Sequence, residues 1–136
     1  MLTDAPVAPI LVATDIEQAK KFYSERVGLL ALDMPVPGDG AVFESGRGTI
    51  LYLYQRERGT KADHTVAGWL VEDLEKTMAE LRERGITFKQ YDMPGLKTDE
   101  RGIAEGDGGR SAWFKDTEGN ILTITEITES TETTEA

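Results

Sequence analysis

One succession of signals occurs twice in this chain, and it restricts the possible folds more than any other feature. Residues 7–13 are apolar and rich in strand formers. Thr14 and Asp15 follow as helix N-cap candidates, with Gln18 placed to complete a capping box. Ile16, Ala19, Phe22, Tyr23 and Val27 then recur at helical spacing, Glu17 and Lys21 form an i,i+4 pair, and Gly28 ends the helix. Leu29 to Met34 reads as a strand closed by Pro35 and Pro37-Gly38. Ala41 to Ser45 and Thr49 to Gln55 read as two more, around a Gly46-Arg47-Gly48 turn. The second half repeats the order. Val66 to Val71 is a strand, Asp73 an N-cap, Leu74, Met78 and Leu81 an apolar stripe, and Gly85 a stop. Ile86 to Tyr91, Ser111 to Lys115 and Ile121 to Ile127 are strands, the last two joined by the turn Asp116-Thr117-Glu118-Gly119-Asn120.

The two halves align. Thr14-Asp15-Ile16-Glu17 matches Glu72-Asp73-Leu74-Glu75, and Gly48-Thr49-Ile50-Leu51 matches Gly119-Asn120-Ile121-Leu122. Asp33-Met34-Pro35 matches Asp92-Met93-Pro94. Ser24 to Gly28 matches Arg82 to Gly85 with one residue extra. Each half is therefore a β-α-β-β-β unit, at about 7–55 and 64–127, and the fold class is α+β with a pseudo-symmetric pair. A single domain over 1–127 suits a chain of 136 residues. Residues 128–136 carry acids and almost no apolar side chain, which predicts a disordered acidic tail. Pro94 to Arg110 has no counterpart in the first half and is rich in glycine and charge. Such a loop is either a tolerated insertion or a functional segment, in the second case a lid ordered by ligand.

Composition removes several function classes. There is no cysteine, hence no disulfide, thiolate metal site or cysteine nucleophile. A net charge of −10 opposes nucleic acid. The amino terminus has no basic region followed by an apolar run, and no stretch is long and apolar enough to span a bilayer, so a cytoplasmic protein is expected.

Val12-Ala13-Thr14-Asp15-Ile16-Glu17 with Phe22-Tyr23 and Gly28-Leu29, Leu70-Val71-Glu72-Asp73-Leu74, and Phe114 to Asn120 together resemble the vicinal oxygen chelate superfamily, over roughly 7–127. That superfamily holds glyoxalase I, extradiol dioxygenases and bleomycin resistance proteins. The resemblance implies curled mixed sheets around a cleft, with the helices outside. It also implies four metal-ligand positions, two at the starts of the first strand of each unit and two on the last strands. Here these fall on Ala8, Tyr52, Val66 and Thr123. Divalent metals at such sites take imidazole or carboxylate, so no metal and no other cofactor is expected. His64, the single histidine, lies two residues before Val66 and is read as an exposed or hydrogen-bonded loop residue.

Strand alternation puts Ile10 and Val12, Val66 and Leu70, Tyr52 and Tyr54, and Thr123 and Thr125 on the cleft face. Leu11, Trp69, Val71, Leu122 and Ile124 belong under the helices. Trp113 and Phe114 point to opposite faces, and parity leaves open which one reaches the cleft. Tyr91 and Met93 are candidates for its rim. Asp116 and Asn120 are read as turn formers. The expected function is binding of a small apolar or aromatic molecule in a metal-free cleft, as in bleomycin-resistance-type proteins. The alternative is a glyoxalase- or dioxygenase-like enzyme with an atypical site, using Tyr52 or Tyr54 as acid or base. No Lys or Arg stands obviously beside either phenol. A regulatory subunit is a third reading. Exposed strand edges favour a homodimer.

Overall fold

The computed structural model describes residues 1–34, 40–106 and 108–127. The turn expected at Pro35 and Pro37-Gly38 and the tail from residue 128 lie outside them. The chain divides into two compact units. Among the described residues, the first holds those from Met1 to Val66 with Asp116–Asn120, and the second those from Ala67 to Lys115 with those from Ile121 to Ile127.

In the first unit, strand β1 (Ile10–Ala13) leads into helix α1 (Ile16–Lys21), followed by β2 (Leu30–Leu32), β3 (Gly40–Glu44) and β4 (Ile50–Gln55). The sheet order is β1-β4-β3-β2, with β1 parallel to β4 and the other pairs antiparallel. Asp15 caps α1 by accepting the Gln18 amide at 3.1 Å. Past Lys21 the coil widens to a π-helical turn, Phe22–Val27, and stops at Gly28 with φ +87°. A π turn is how a helix absorbs one inserted residue, which accounts for the extra residue in this half of the repeat. The expected Glu17–Lys21 pair does not form; Glu17 meets Lys20 instead, at 3.5 Å. Both side chains are solvated, so either pairing is worth little. Leu11, Ala13, Phe43, Leu51 and Leu53 are buried on one face of the sheet, and Ala19, Phe22 and Tyr23 are buried on the helix.

The second unit contains most of β5 (Thr65–Leu70), then α2 (Leu74–Glu83), a small hairpin of β6 (Asp92–Met93) and β7 (Leu96–Lys97), then β8 (Ile103–Gly106), β9 (Gly109–Lys115) and β10 (Ile121–Ile127). Its large sheet runs β5-β10-β9-β8, the same order as the first. Both helices start against the same kind of group. The Ile16 amide donates to Gln55 Oε1 at 3.2 Å, and the Leu74 amide to Glu126 Oε1 at 2.7 Å. Gln55 and Glu126 hold equivalent places on the last strands, so the duplication extends to the side chains that satisfy the helix starts.

Two expectations are corrected here. Residues 86–91 do not form a strand; Ile86 and Phe88 are buried, but the ladder contact is a single bond from the Lys89 amide to the Trp113 carbonyl, 2.8 Å. The slot beside β9 is filled instead by β8, from inside the segment expected to be a bare loop. Gly102 permits the exchange. It has φ +93°, and a β-carbon there would lie 2.8 Å from the Lys89 carbonyl oxygen, so only glycine lets the chain cross the earlier segment. Gly68 answers a similar need, because a β-carbon would stand 2.5 Å from the Thr123 methyl on the neighbouring strand.

Candidate functional site

In the second unit, alternation along β9 sends Phe114 and Ala112 into the core, both fully buried, and leaves Trp113 and Ser111 half-buried on the opposite, open face. Trp113 is thus the one of the pair on the face expected to be functional. Cross-strand partners share that face. Thr123 stands opposite Trp113, Thr125 opposite Ser111, and Ala104 on β8 beside Ser111. Between them lies a shallow hollow of about 330 Å³, lined by Ala104, Glu105, Ser111, Trp113, Thr125, Ile127 and three glycines. Its size is at the small end of ligand pockets.

The three hydroxyls of β9 and β10 on this face bond within the sheet. Thr123 Oγ1 donates to the Ala112 carbonyl at 2.9 Å. Ser111 Oγ and Thr125 Oγ1 are 2.8 Å apart, one donating to the other. Tyr91 stands edge-on to Trp113, ring centroids 5.5 Å apart and planes at 86°, with the Lys89 ammonium 5.3 Å from its own ring centre. Desolvation there raises the Tyr91 phenol above its ordinary range. Tyr91 is also the root of the β6–β7 hairpin. Its amide donates to Thr98 Oγ1 at 2.8 Å, and the Thr98 amide returns to the Tyr91 carbonyl at 2.9 Å.

Under the other face an ion-pair network fixes the start of α2. Arg110 meets Glu75 at 2.8 Å and Glu126 at 3.1 Å, and Arg101 meets Asp99 at 2.8 Å and Glu75 at 3.4 Å. The hydrogen bond from Arg110, helped by Arg101, holds the Glu75 carboxyl below its usual range. Asp99 is lowered to about 2, first by the Ile103 amide and then by Arg101. With Arg110 so engaged, the network is a scaffold for β8, β9 and α2.

The first unit carries the other expected residues. Ile10 is level with Tyr52 and Val12 with Tyr54, all on the face opposite the core. Ile10 is 60 % exposed; the other three are half-buried. Contrary to the expectation of no neighbouring cation, Arg56 Nη1 donates to the Tyr54 hydroxyl at 3.2 Å, and its guanidinium lies 5.9 Å from the ring centre. The turn Asp116–Asn120 belongs to this unit and is built as a clamp. Asp116 Oδ1 accepts the Glu118 and Asn120 amides at 2.8 and 2.9 Å. Its Oδ2 accepts the Tyr23 hydroxyl at 2.6 Å and Asn120 Nδ2 at 2.8 Å. Glu118 in turn accepts the Thr14 and Asp15 amides, each at 2.9 Å. Asp116 and Asn120 are buried and consumed by these bonds, in keeping with the turn-forming reading. Burial, and then Asp116, push the Tyr23 phenol far above its ordinary range.

Of the remaining candidates, Val66 is half-buried on β5, Leu70 is 77 % exposed at the end of that strand, and Met93 is 51 % exposed on the hairpin beyond Tyr91. None of these three lines the hollow. Ser111 was missed by the sequence reading, although it shares the parity of Trp113 two residues away. The donor set at the implied metal positions does not fit a divalent ion. Ala8 and Val66 have no donor atom, and the Thr123 hydroxyl is spent on a carbonyl. His64 is exposed, with Nδ1 3.1 Å from the Thr65 carbonyl. Among the described residues no three His, Cys, Asp or Glu side chains are grouped to hold a metal ion. No described helix is long and apolar enough to cross a membrane.

Comparison with known proteins follows the same lines. A family model for the Glyoxalase/Bleomycin resistance protein/Dioxygenase superfamily matches residues 6–124. No curated protein matches the chain. Among solved structures, a member of that superfamily from Sphaerobacter thermophilus is 21 % identical, with TM-score 0.69, covering 93 % of this chain and 99 % of its own. TnmS3, an antibiotic-binding protein from a Streptomyces species, is 23 % identical, with TM-score 0.69 and coverage of 94 % and 99 %. The oxidase ChaP-H2 is 28 % identical, with TM-score 0.65 and coverage of 91 % and 94 %.

Proposed function

This chain belongs to the Glyoxalase/Bleomycin resistance protein/Dioxygenase superfamily, and from that premise we propose that it binds a small apolar or aromatic molecule without a metal ion. The observation that carries the reading is the hollow beside Trp113, a half-buried indole on an open sheet face with a second ring, Tyr91, braced against it. Aromatic side chains offer large contact area and fixed geometry, which is why they anchor ligands. The poor donor set at Ala8, Tyr52, Val66 and Thr123 supports the metal-free part. The antibiotic binding named for TnmS3 gives a precedent for binding on this fold. We also propose a homodimer, because Ile10 and Leu70 are exposed on β1 and β5, the end strands of their sheets; a monomer mass by sedimentation at micromolar concentration would exclude it.

The test of binding is a titration with indole and coumarin, two flat bicyclic probes, followed through the Trp113 side-chain N–H resonance in the natural protein and through the Ser111 and Thr125 backbone amides in both natural protein and variant. Saturable shifts are expected, with at least tenfold weaker binding in Trp113→Ala and an almost unchanged melting temperature. No shift with either probe, or equal affinity in the variant, removes the reading.

A further inference from the structure

The hollow contains a hydroxyl pair with one hydrogen to spare. Ser111 and Thr125 each carry one O–H, and the 2.8 Å bond between them uses one of the two. The second O–H has no acceptor among the described residues. Thr123, the other hydroxyl on this face, is already committed to the Ala112 carbonyl. Of the hydroxyls on this face, that pair alone keeps an uncommitted O–H, half-buried and fixed between two strands. Trp113 is two residues along β9 on the same face, roughly 7 Å away, about the width of a fused bicyclic ring. Glu105, the one charged residue among the described residues lining the hollow, is an acid, and its cross-strand neighbour Arg110 is engaged by Glu75 and Glu126. Among the described residues no cation lines the hollow to receive an anionic ligand.

Resting on the binding reading above, we infer that the ligand of this hollow is an uncharged, flat aromatic molecule of two or three fused rings bearing a carbonyl acceptor. The ring packs on Trp113, and the carbonyl takes the spare O–H of the Ser111–Thr125 pair. A donor covered by an apolar ligand edge gains no bond and loses its contact with water, so it discriminates by what the ligand lacks.

Coumarin and indole separate this inference from the broader one. They are similar in size and flatness, but coumarin presents a carbonyl, whereas the indole ring has only an N–H donor. Coumarin is expected to bind about tenfold tighter than indole, the scale of one hydrogen bond. The Ser111→Ala/Thr125→Val double variant keeps the shape of the face and should erase that difference, bringing coumarin down to about the affinity of indole; its melting curve checks that the sheet is intact. Equal affinity of the two probes for the natural protein, or a preference for coumarin that survives the double variant, overturns the inference and leaves the binding reading standing. Failure of both probes to move the Trp113 resonance ends both. A third probe, 2-naphthoate, should bind more weakly than either; tighter binding of this anion would also overturn the inference.

Discussion

Tyr23 is an acid that its surroundings do not allow to ionise. It is fully buried, and its hydroxyl donates to a carboxylate, so both desolvation and like charge oppose the phenolate. The folded-state pKa is raised, so the stabilisation from keeping Tyr23 protonated is complete below the unfolded value of about 10 and declines above it. The natural protein should lose about 1.4 kcal/mol per pH unit more than Tyr23→Phe does once the pH exceeds about 10. At neutral pH the same variant should cost about 1–3 kcal/mol, because Asp116 loses a donor while staying buried. Urea unfolding of both proteins from pH 7 to 11 measures the two effects. Parallel curves above pH 10 would mean that Tyr23 titrates like an exposed phenol.

At the scale of elements, the segment expected to be a lid is divided. Residues 92–97 form a two-residue-a-side hairpin, with Pro94 and Gly95 at its tip and its base fastened by Tyr91 and Thr98. Residues 103–106 are part of the main sheet, led in by Asp99, whose carboxylate accepts the Arg101 and Ile103 amides at 2.8 and 3.0 Å. Few apolar contacts and many exposed bonds mark the first piece as the less stable. Hydrogen exchange should therefore be fast for Met93 to Lys97 and slowed for the paired amides of β8. A ligand on Trp113 should slow the hairpin, since Tyr91 touches both. Uniformly fast exchange from 94 to 110 would restore the bare-loop reading. Asp99 adds a pH dependence with the opposite sign to Tyr23. Its pKa is lowered, so its hold on β8 is complete above the ordinary value of 3.8 and is lost as the pH falls toward about 2.

For the whole molecule, membership in a superfamily rich in metal enzymes sets a clear question. Two of the four implied ligand positions hold side chains with no donor atom, and metal affinity depends on ligand type and number. Dialysis against Zn²⁺, Ni²⁺ or Fe²⁺ and elemental analysis should find well below one ion per chain. One ion per chain, lost in His64→Ala, would show that the strand register places His64 at a ligand position.

Periodicity, capping residues and the internal repeat were enough to predict two β-α-β-β-β units, both helix starts at Asp15 and Asp73, and the alternation of buried and open faces. These are local properties, fixed by backbone geometry within a few residues. Even the one-residue mismatch between the halves was visible, though not its form as a π turn. The choice of strand beside β9 was not legible. Residues 86–91 have the better strand pattern, yet β8 takes the place, because pairing depends on partners distant in sequence and on a crossing that Gly102 alone permits. The orientation of Trp113 needed the fold for a related reason: alternation says that Trp113 and Phe114 face opposite ways, and only the packing of Phe114 against Phe88 and Trp69, at 5.7 and 6.4 Å between ring centres, decides which one is left facing the hollow.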